Sequence, residues 1–161
     1  MATLRQGLVE STELRAWPLL APLNGIGPSQ QARAIRTVAG LFAHHPVNSD
    51  HGNMGTTCRL LCQSQGNEEK PWEIIQYDKK QEKSVAPGPM TKKFCYLLEA
   101  NADEIFDRIT RIVLFAKSEN IAINYAKLAE DLRFWPRARN SWAEAFWQAP
   151  KKDKNVEESG S

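Results

Sequence analysis

The segment from Asn101 to Trp147 constrains the fold most, because it spaces its apolar residues for three consecutive helices. Ile105, Ile109, Ile112 and Ala116 recur at three- and four-residue intervals and mark one buried stripe. Asn101, with Glu104 three positions on, gives that helix a capping-box-like start. A second helix begins at a capping Asn124, buries Tyr125, Leu128, Leu132 and Trp135, and stops at Pro136. A third starts near Asn140 or Ser141, buries Trp142, Ala145 and Phe146, and ends before Pro150.

The first half reads the same way with more interruptions. Ser29 is placed to cap a helix in which Ala32, Ile35, Ala39 and Phe42 recur at helical spacing. Residues 46–55 mix Pro, Asn, Ser, Asp and Gly and form a loop, after which a helix resumes over Gly55–Cys62. The polar stretch 63–90, whose only candidate for a strand or short helix is "WEIIQY", is expected to be a hinge or mobile loop and a candidate lobe boundary. "TKKFCYLLEA" is a short helix ending near Asn101. The expectation is an all-α fold of about five to seven helices over residues 1–148, either one compact domain or two small lobes. The charged, small-residue tail 149–161 is expected to be disordered.

Composition narrows the function classes. With 42% hydrophobic residues the chain can bury a core, and a formal charge of +2 excludes a strongly basic polymer binder. The charge is nevertheless segregated: residues 79–93 carry five lysines against Glu82 alone. No apolar run is long enough to span a bilayer, and the start lacks the apolar core of a signal peptide, so a soluble, cytoplasmic protein is expected. Cys58, Cys62 and Cys95 are an odd set, expected to be reduced thiols. Cys58 and Cys62 lie four apart on a helix and suit inward packing. The alternative is a zinc site, or a metal-dependent enzyme, built from these two with His44, His45 and His51; their spacing is poor for zinc. The sequence contains no Gly-rich phosphate loop, nucleophile elbow or paired metal-ligating motif, so neither catalysis nor a cofactor is expected.

The basic residues divide by position. Lys92 and Lys93 open their helix in this reading, where positive charge opposes the helix dipole. They suit phosphate contact, or are a solvated pair beside a loop. Glu104, one turn before Arg108, can neutralise it and leaves Arg111 as the freer guanidinium. Residues 131–147 hold five large aromatics and three arginines. Trp135 and Trp142 fall on apolar helix faces and fix a corner, from which Arg137 and Arg139 project after Pro136. Arginines so placed suit phosphate recognition, or surface ion pairs.

Three stretches resemble the CasB family, the small subunit of the type I-E CRISPR Cascade effector complex. They are "VAGLFAHHP" with "NMGTTCRLL", the long run "KKFCYLLEANADEIFDRITRIVLFAKSENIAINYAKLAEDLRFW", and the ending "ARNSWAEAFW". Their order and spacing cover residues from about 35 to 147. The family's additional first helix is expected to be missing here, since "TLRQ" falls almost at Met1, and its basic pair is two lysines, which lack bidentate geometry. The resemblance implies an all-helical, non-catalytic subunit, present in two copies packed head to tail beside the backbone and large subunits. It implies contact with the guide RNA, the target DNA and the displaced strand, locking the R-loop. Carried over by motif, Lys92, Lys93, Arg111 and Arg137 come first as nucleic-acid contacts, followed by Arg5, Arg59, Arg108 and Arg139. Base pairing reads sequence in such a complex, so the protein need only match charge to backbone shape. The competing reading is a stand-alone helical DNA-binding regulator that uses the helix of Arg108 and Arg111 for recognition.

Overall fold

The structure, a computed structural model, describes residues 13–64, 69–73 and 87–148. Among these the chain forms α1 (Glu13–Leu20), a 3-10 turn (Ala21–Leu23), α2 (Gln30–His44), α3 (Met54–Cys62), α4 (Pro89–Leu98), α5 (Ile105–Ser118), α6 (Tyr125–Arg133) and α7 (Arg139–Trp147). The only β feature among the described residues is an isolated parallel bridge between Asn48 and Ile123. The all-α expectation holds. Most of the 63–90 stretch, including all of "WEIIQY" after Glu73, lies outside the described residues, as do the tail and Arg5.

One contiguous apolar cluster takes side chains from α2 through α7, with α3 packed along α7 and α2 along α6. The α5 stripe is as expected: Ile105, Ile109, Ile112 and Ala116 are all buried. Asn101 Oδ1 accepts from the Asp103 and Glu104 amides (2.9 and 2.8 Å), and Glu104 Oε2 accepts from the Asn101 amide (3.3 Å). The reciprocal cap therefore forms around the turn that precedes Ile105. Ser29 Oγ accepts from the Ala32 amide at 3.0 Å and starts α2, but of the face expected there only Ala32 is buried. Ala34, Val38 and Leu41 meet the main core, whereas Phe42 is exposed with its ring packed edge-on against Tyr125. A helix rich in alanine offers several equivalent apolar faces, so its pattern does not select one.

The loop after α2 is stapled to the segment before α6. Ser49 N–H donates to Ile123 C=O and Ile123 N–H to Val47 C=O (2.9 and 3.0 Å). His45, buried, donates from Nε2 to the Ile121 carbonyl at 2.6 Å, and the Tyr125 hydroxyl donates to the His45 carbonyl. The Asn124 side chain caps α6 from Oδ1 and reaches the Gly52 carbonyl from Nδ2. His45 thus has a backbone-satisfying role, and no group of three or more His, Cys, Asp or Glu converges among the described residues.

Two tryptophans fix the end of the bundle. Trp142 is fully buried and donates from Nε1 to Asp131 Oδ2 at 2.7 Å; Trp135 donates from Nε1 to the Ala100 carbonyl at 2.9 Å. Their rings lie 4.6 Å apart, and the Trp135–Pro136 peptide between α6 and α7 is cis. Phe146 packs against Phe94 of α4 at 4.0 Å between ring centroids, while Ala145, expected in the core, is only half-buried. The "NMG" motif acquires a structural reason here. Asn53 and Thr56 form a capping box at the start of α3, Asn53 Nδ2 donates to the Ser141 carbonyl, and Gly55 lies under the backbone of Trp142. A Cβ at Gly55 would stand 2.0 Å from the Trp142 carbonyl oxygen. Gly55→Ala is expected to cost about 3 kcal/mol in urea unfolding by forcing α3 away from α7.

Cys58 and Cys62 pack inward as their spacing predicts. Burial pushes both thiols up, Cys62 to about 12 with the Glu69 carboxylate adding to the effect. Burial raises the Tyr125 phenol in the same direction. Unfolded thiols ionise near pH ~8.5 while the native ones stay protonated, so above that pH the native state holds more protons and stability falls as pH rises. The urea midpoint should therefore drop between pH ~8.5 and about 12, and a Cys58→Ala/Cys62→Ala variant should lose part of that slope.

Candidate functional site

α4 and α5 meet along Leu97 and Ile112 and leave a surface cleft of about 250 Å³ between them. Its lining is Lys93, Tyr96 and Leu97 from α4 with Arg108, Arg111, Ile112 and Phe115 from α5. The floor is apolar and the rim is cationic. This arises from helix register: Lys93, Tyr96 and Leu97 are three and four apart on one helix, Arg108, Arg111, Ile112 and Phe115 on the other. Three of the residues singled out from sequence, Lys93, Arg108 and Arg111, therefore come together.

Aromatic rings hold two of these cations. The Arg108 guanidinium lies 3.7 Å from the Tyr96 ring centroid, and the Lys93 ammonium 4.6 Å from that of Phe115. Arg108 also donates to the Tyr96 carbonyl (2.6 Å) and pairs with Glu104 (3.0 Å), the pairing its spacing predicts. Glu104 is half exposed, so this pair is worth little energetically and its main effect is to fix the guanidinium. Arg111 and Lys92 are exposed and form no ion pair with a described residue. Lys92 stands one turn before Tyr96 on α4.

The structure corrects the placement of the lysine pair. α4 begins at Pro89, so Lys92 and Lys93 follow its first turn. The N-terminal amides are taken by the Glu69 carboxylate, which accepts from Met90 N–H and Thr91 N–H (both 3.0 Å) and from the Thr91 hydroxyl. A carboxylate at that position complements the helix dipole, so the lysines do not oppose an uncompensated positive end. Gly88 makes the approach feasible, because a Cβ there would stand 2.3 Å from the carboxylate.

Arg139 is the second correction. Instead of projecting free of the corner, it donates from Nε to the Leu98 carbonyl (2.7 Å) and from Nη2 to the Ala100 carbonyl (3.4 Å). It closes the carbonyl end of α4, which attracts a cation. Arg137 is exposed and lines a separate, open cleft of about 340 Å³ with Lys127, Glu130, Asp131, Phe134, Ala138 and Ser141. Arg137 and Arg133 both lie over the exposed Phe134 ring, at 5.6 and 4.9 Å. Arg59 stacks on Trp72 at 4.7 Å, away from either cleft's lining. Sequence reasoning missed the roles of Tyr96, Phe115 and Phe134. The signal for Tyr96 was its spacing of four and three residues from the lysine pair; the others depend on tertiary approach.

Fold and site together define a class: an all-helical protein that carries a surface cleft with an apolar floor and a rim of positioned cations. The family model for CRISPR-associated protein Cse2 matches residues 1–147, and the chain belongs to this Cse2 family. No described helix is long and apolar enough to cross a membrane. Among solved structures the chain is similar to CasB from Thermus thermophilus, at 23% identity and a TM-score of 0.61, covering 92% of this chain and 84% of that one. It is also similar to a second structure from Thermus thermophilus, a CRISPR-associated protein of the Cse2 family, at 25% identity and a TM-score of 0.58, covering 92% and 85%. No curated protein matches the chain.

The division between committed and uncommitted cations gives a stability test. Arg139→Ala should lower unfolding free energy by about 1 kcal/mol through the lost carbonyl contacts. Arg111→Ala and Lys92→Ala should stay within ~0.5 kcal/mol of the parent, as measured by urea denaturation.

Proposed function

We propose that this protein is a non-catalytic small subunit of a type I-E Cascade-like, RNA-guided surveillance complex. In this reading it binds the nucleic-acid backbone without sequence preference and stabilises the R-loop formed by guide RNA, target strand and displaced strand. Its partners are the backbone and large subunits and a second copy packed head to tail. The observation that carries the reading is the convergence of Lys93, Arg108 and Arg111 on one cleft, with Arg111 and neighbouring Lys92 lacking a carboxylate among the described residues.

Cations held on aromatic rings lose less freedom when they meet a phosphate than mobile side chains do, which lowers the cost of binding. Arg111 supplies a planar fork, Lys92 and Lys93 point charges. Phosphate contacts of this kind position a strand without reading it, and guide-directed recognition requires nothing more from a small subunit. Arg137, beside Arg133 on Phe134, supplies a second point of attachment. Arg59, Arg139 and Arg5 contribute less in this reading: the first two are engaged within the fold. The alternative reading is a stand-alone helical DNA-binding regulator that uses α5, where Arg111 is exposed and Arg108 is held by Glu104 and the Tyr96 carbonyl.

The test is charge reversal at Lys92, Lys93, Arg111 and Arg137 together, in the complex reconstituted with its guide RNA and neighbouring subunits. The expected result is an R-loop lifetime shortened at least about tenfold and a salt dependence of DNA retention made shallower by roughly 0.7–0.9 per lost phosphate contact. The melting temperature of the isolated subunit should be unchanged. An R-loop as long-lived as that of the parent complex would refute the assignment.

A further inference from the structure

We propose that the α4–α5 cleft takes a single unpaired nucleobase, so that this face of the protein holds single-stranded nucleic acid by inserting a base as well as by gripping phosphates. The inference rests on the reading of the cleft as a nucleic-acid site, and it names the substrate class: a strand with unstacked bases. A purely electrostatic track needs only surface charge. This cleft has more, since Leu97, Ile112 and Phe115 form a recessed apolar floor and Tyr96 at its edge is 51% exposed. The Arg108 guanidinium covers one face of the Tyr96 ring, and the exposed remainder lies beside the apolar floor, so a planar aromatic ligand has both to cover.

The ligand must also be anionic. Lys93, Arg108 and Arg111 surround the floor, and the Glu104 carboxylate beside them is engaged by Arg108. A flat apolar body carrying negative charge at its edge is the description of a nucleotide. Size sets a further limit. About 250 Å³ is just below the roughly 300–1,000 Å³ of sites that enclose a drug-sized ligand, so the cleft suits one ring system and not a stacked pair. Bases in a duplex are already stacked on both faces and cannot enter without being pulled out, at a cost of unstacking. An unpaired strand avoids most of that cost. Base–aromatic stacking is tolerant of sequence because every base has a π-face, so the device remains compatible with a subunit that reads no sequence.

The test compares three oligonucleotides of equal phosphate count on the isolated full-length protein at low salt: oligothymidylate, the same length of abasic strand, and a duplex. Fluorescence anisotropy should show oligothymidylate binding about tenfold more tightly than the abasic strand. Tyr96→Ala should remove that difference, and Tyr96→Phe or Tyr96→Trp should retain it. Arg111→Glu should weaken all three ligands. Equal affinity for oligothymidylate and the abasic strand would overturn base insertion while leaving the phosphate-gripping function standing, and would assign the apolar floor to a protein neighbour. Failure of all three ligands to bind would overturn both. A Tyr96→Ala variant that loses affinity equally for every ligand would overturn the stacking role and reduce the tyrosine to a support for Arg108.

Discussion

The rest of the structure depends on how Trp142 is held. Its indole is fully buried and must place one N–H; the acceptor is the Asp131 carboxylate, itself almost fully buried on α6. That bond fixes the angle between α6 and α7, and Lys127 at 3.4 Å offsets the remaining charge of the carboxylate. On the opposite side the Trp142 carbonyl faces Gly55, so the backbone of α7 lies directly on α3. The ring itself packs on Trp135, whose own N–H ties the corner to the end of α4. Trp142 thus joins α7 to α6 by a hydrogen bond and to α3 by a close backbone contact, and its ring meets Trp135, which is tied to the segment after α4.

The same corner explains why the aromatics and the arginines of residues 131–147 serve different ends. Trp135, Trp142 and Phe146 fill the core. Arg139, though exposed, is tied to the Leu98 carbonyl at the end of α4, while Arg133 and Arg137 share the Phe134 ring. A short helix ends in unsatisfied acceptors, and the nearest long cation satisfies them. Which arginine does so depends on where the chain emerges from the turn at Pro136, a detail of tertiary geometry.

Much of this was legible in the sequence where patterns are strong and local. The stripe of α5, the caps at Asn101, Asn124 and Ser29, the inward thiols and the Arg108–Glu104 pair all follow from spacing along a single helix. The face of α2 was not legible, because alanines surround it and Leu41 carries too little weight to select a side. The start of α4 was misplaced by two residues, at Thr91 instead of Pro89, since its cap is a carboxylate from Glu69, remote in sequence. Arg139 and the floor of the cleft escaped for the same reason: partners that meet only after folding leave no periodic trace. The charged positions of the candidate site were found from helix position and motif resemblance; Tyr96, Phe115 and Phe134 were given no role in it.

The Glu69 bond also has a consequence for how this chain can vary. The Glu69 amide donates to the Cys62 carbonyl at the end of α3 (3.1 Å), while its carboxylate accepts from the Met90 and Thr91 amides at the start of α4. The alignment of α4 with α3 is thus set by a residue that belongs to neither helix, and positions 69 and 88 are the two least free to change: a side chain at 88 would displace the carboxylate and leave the helix dipole uncompensated.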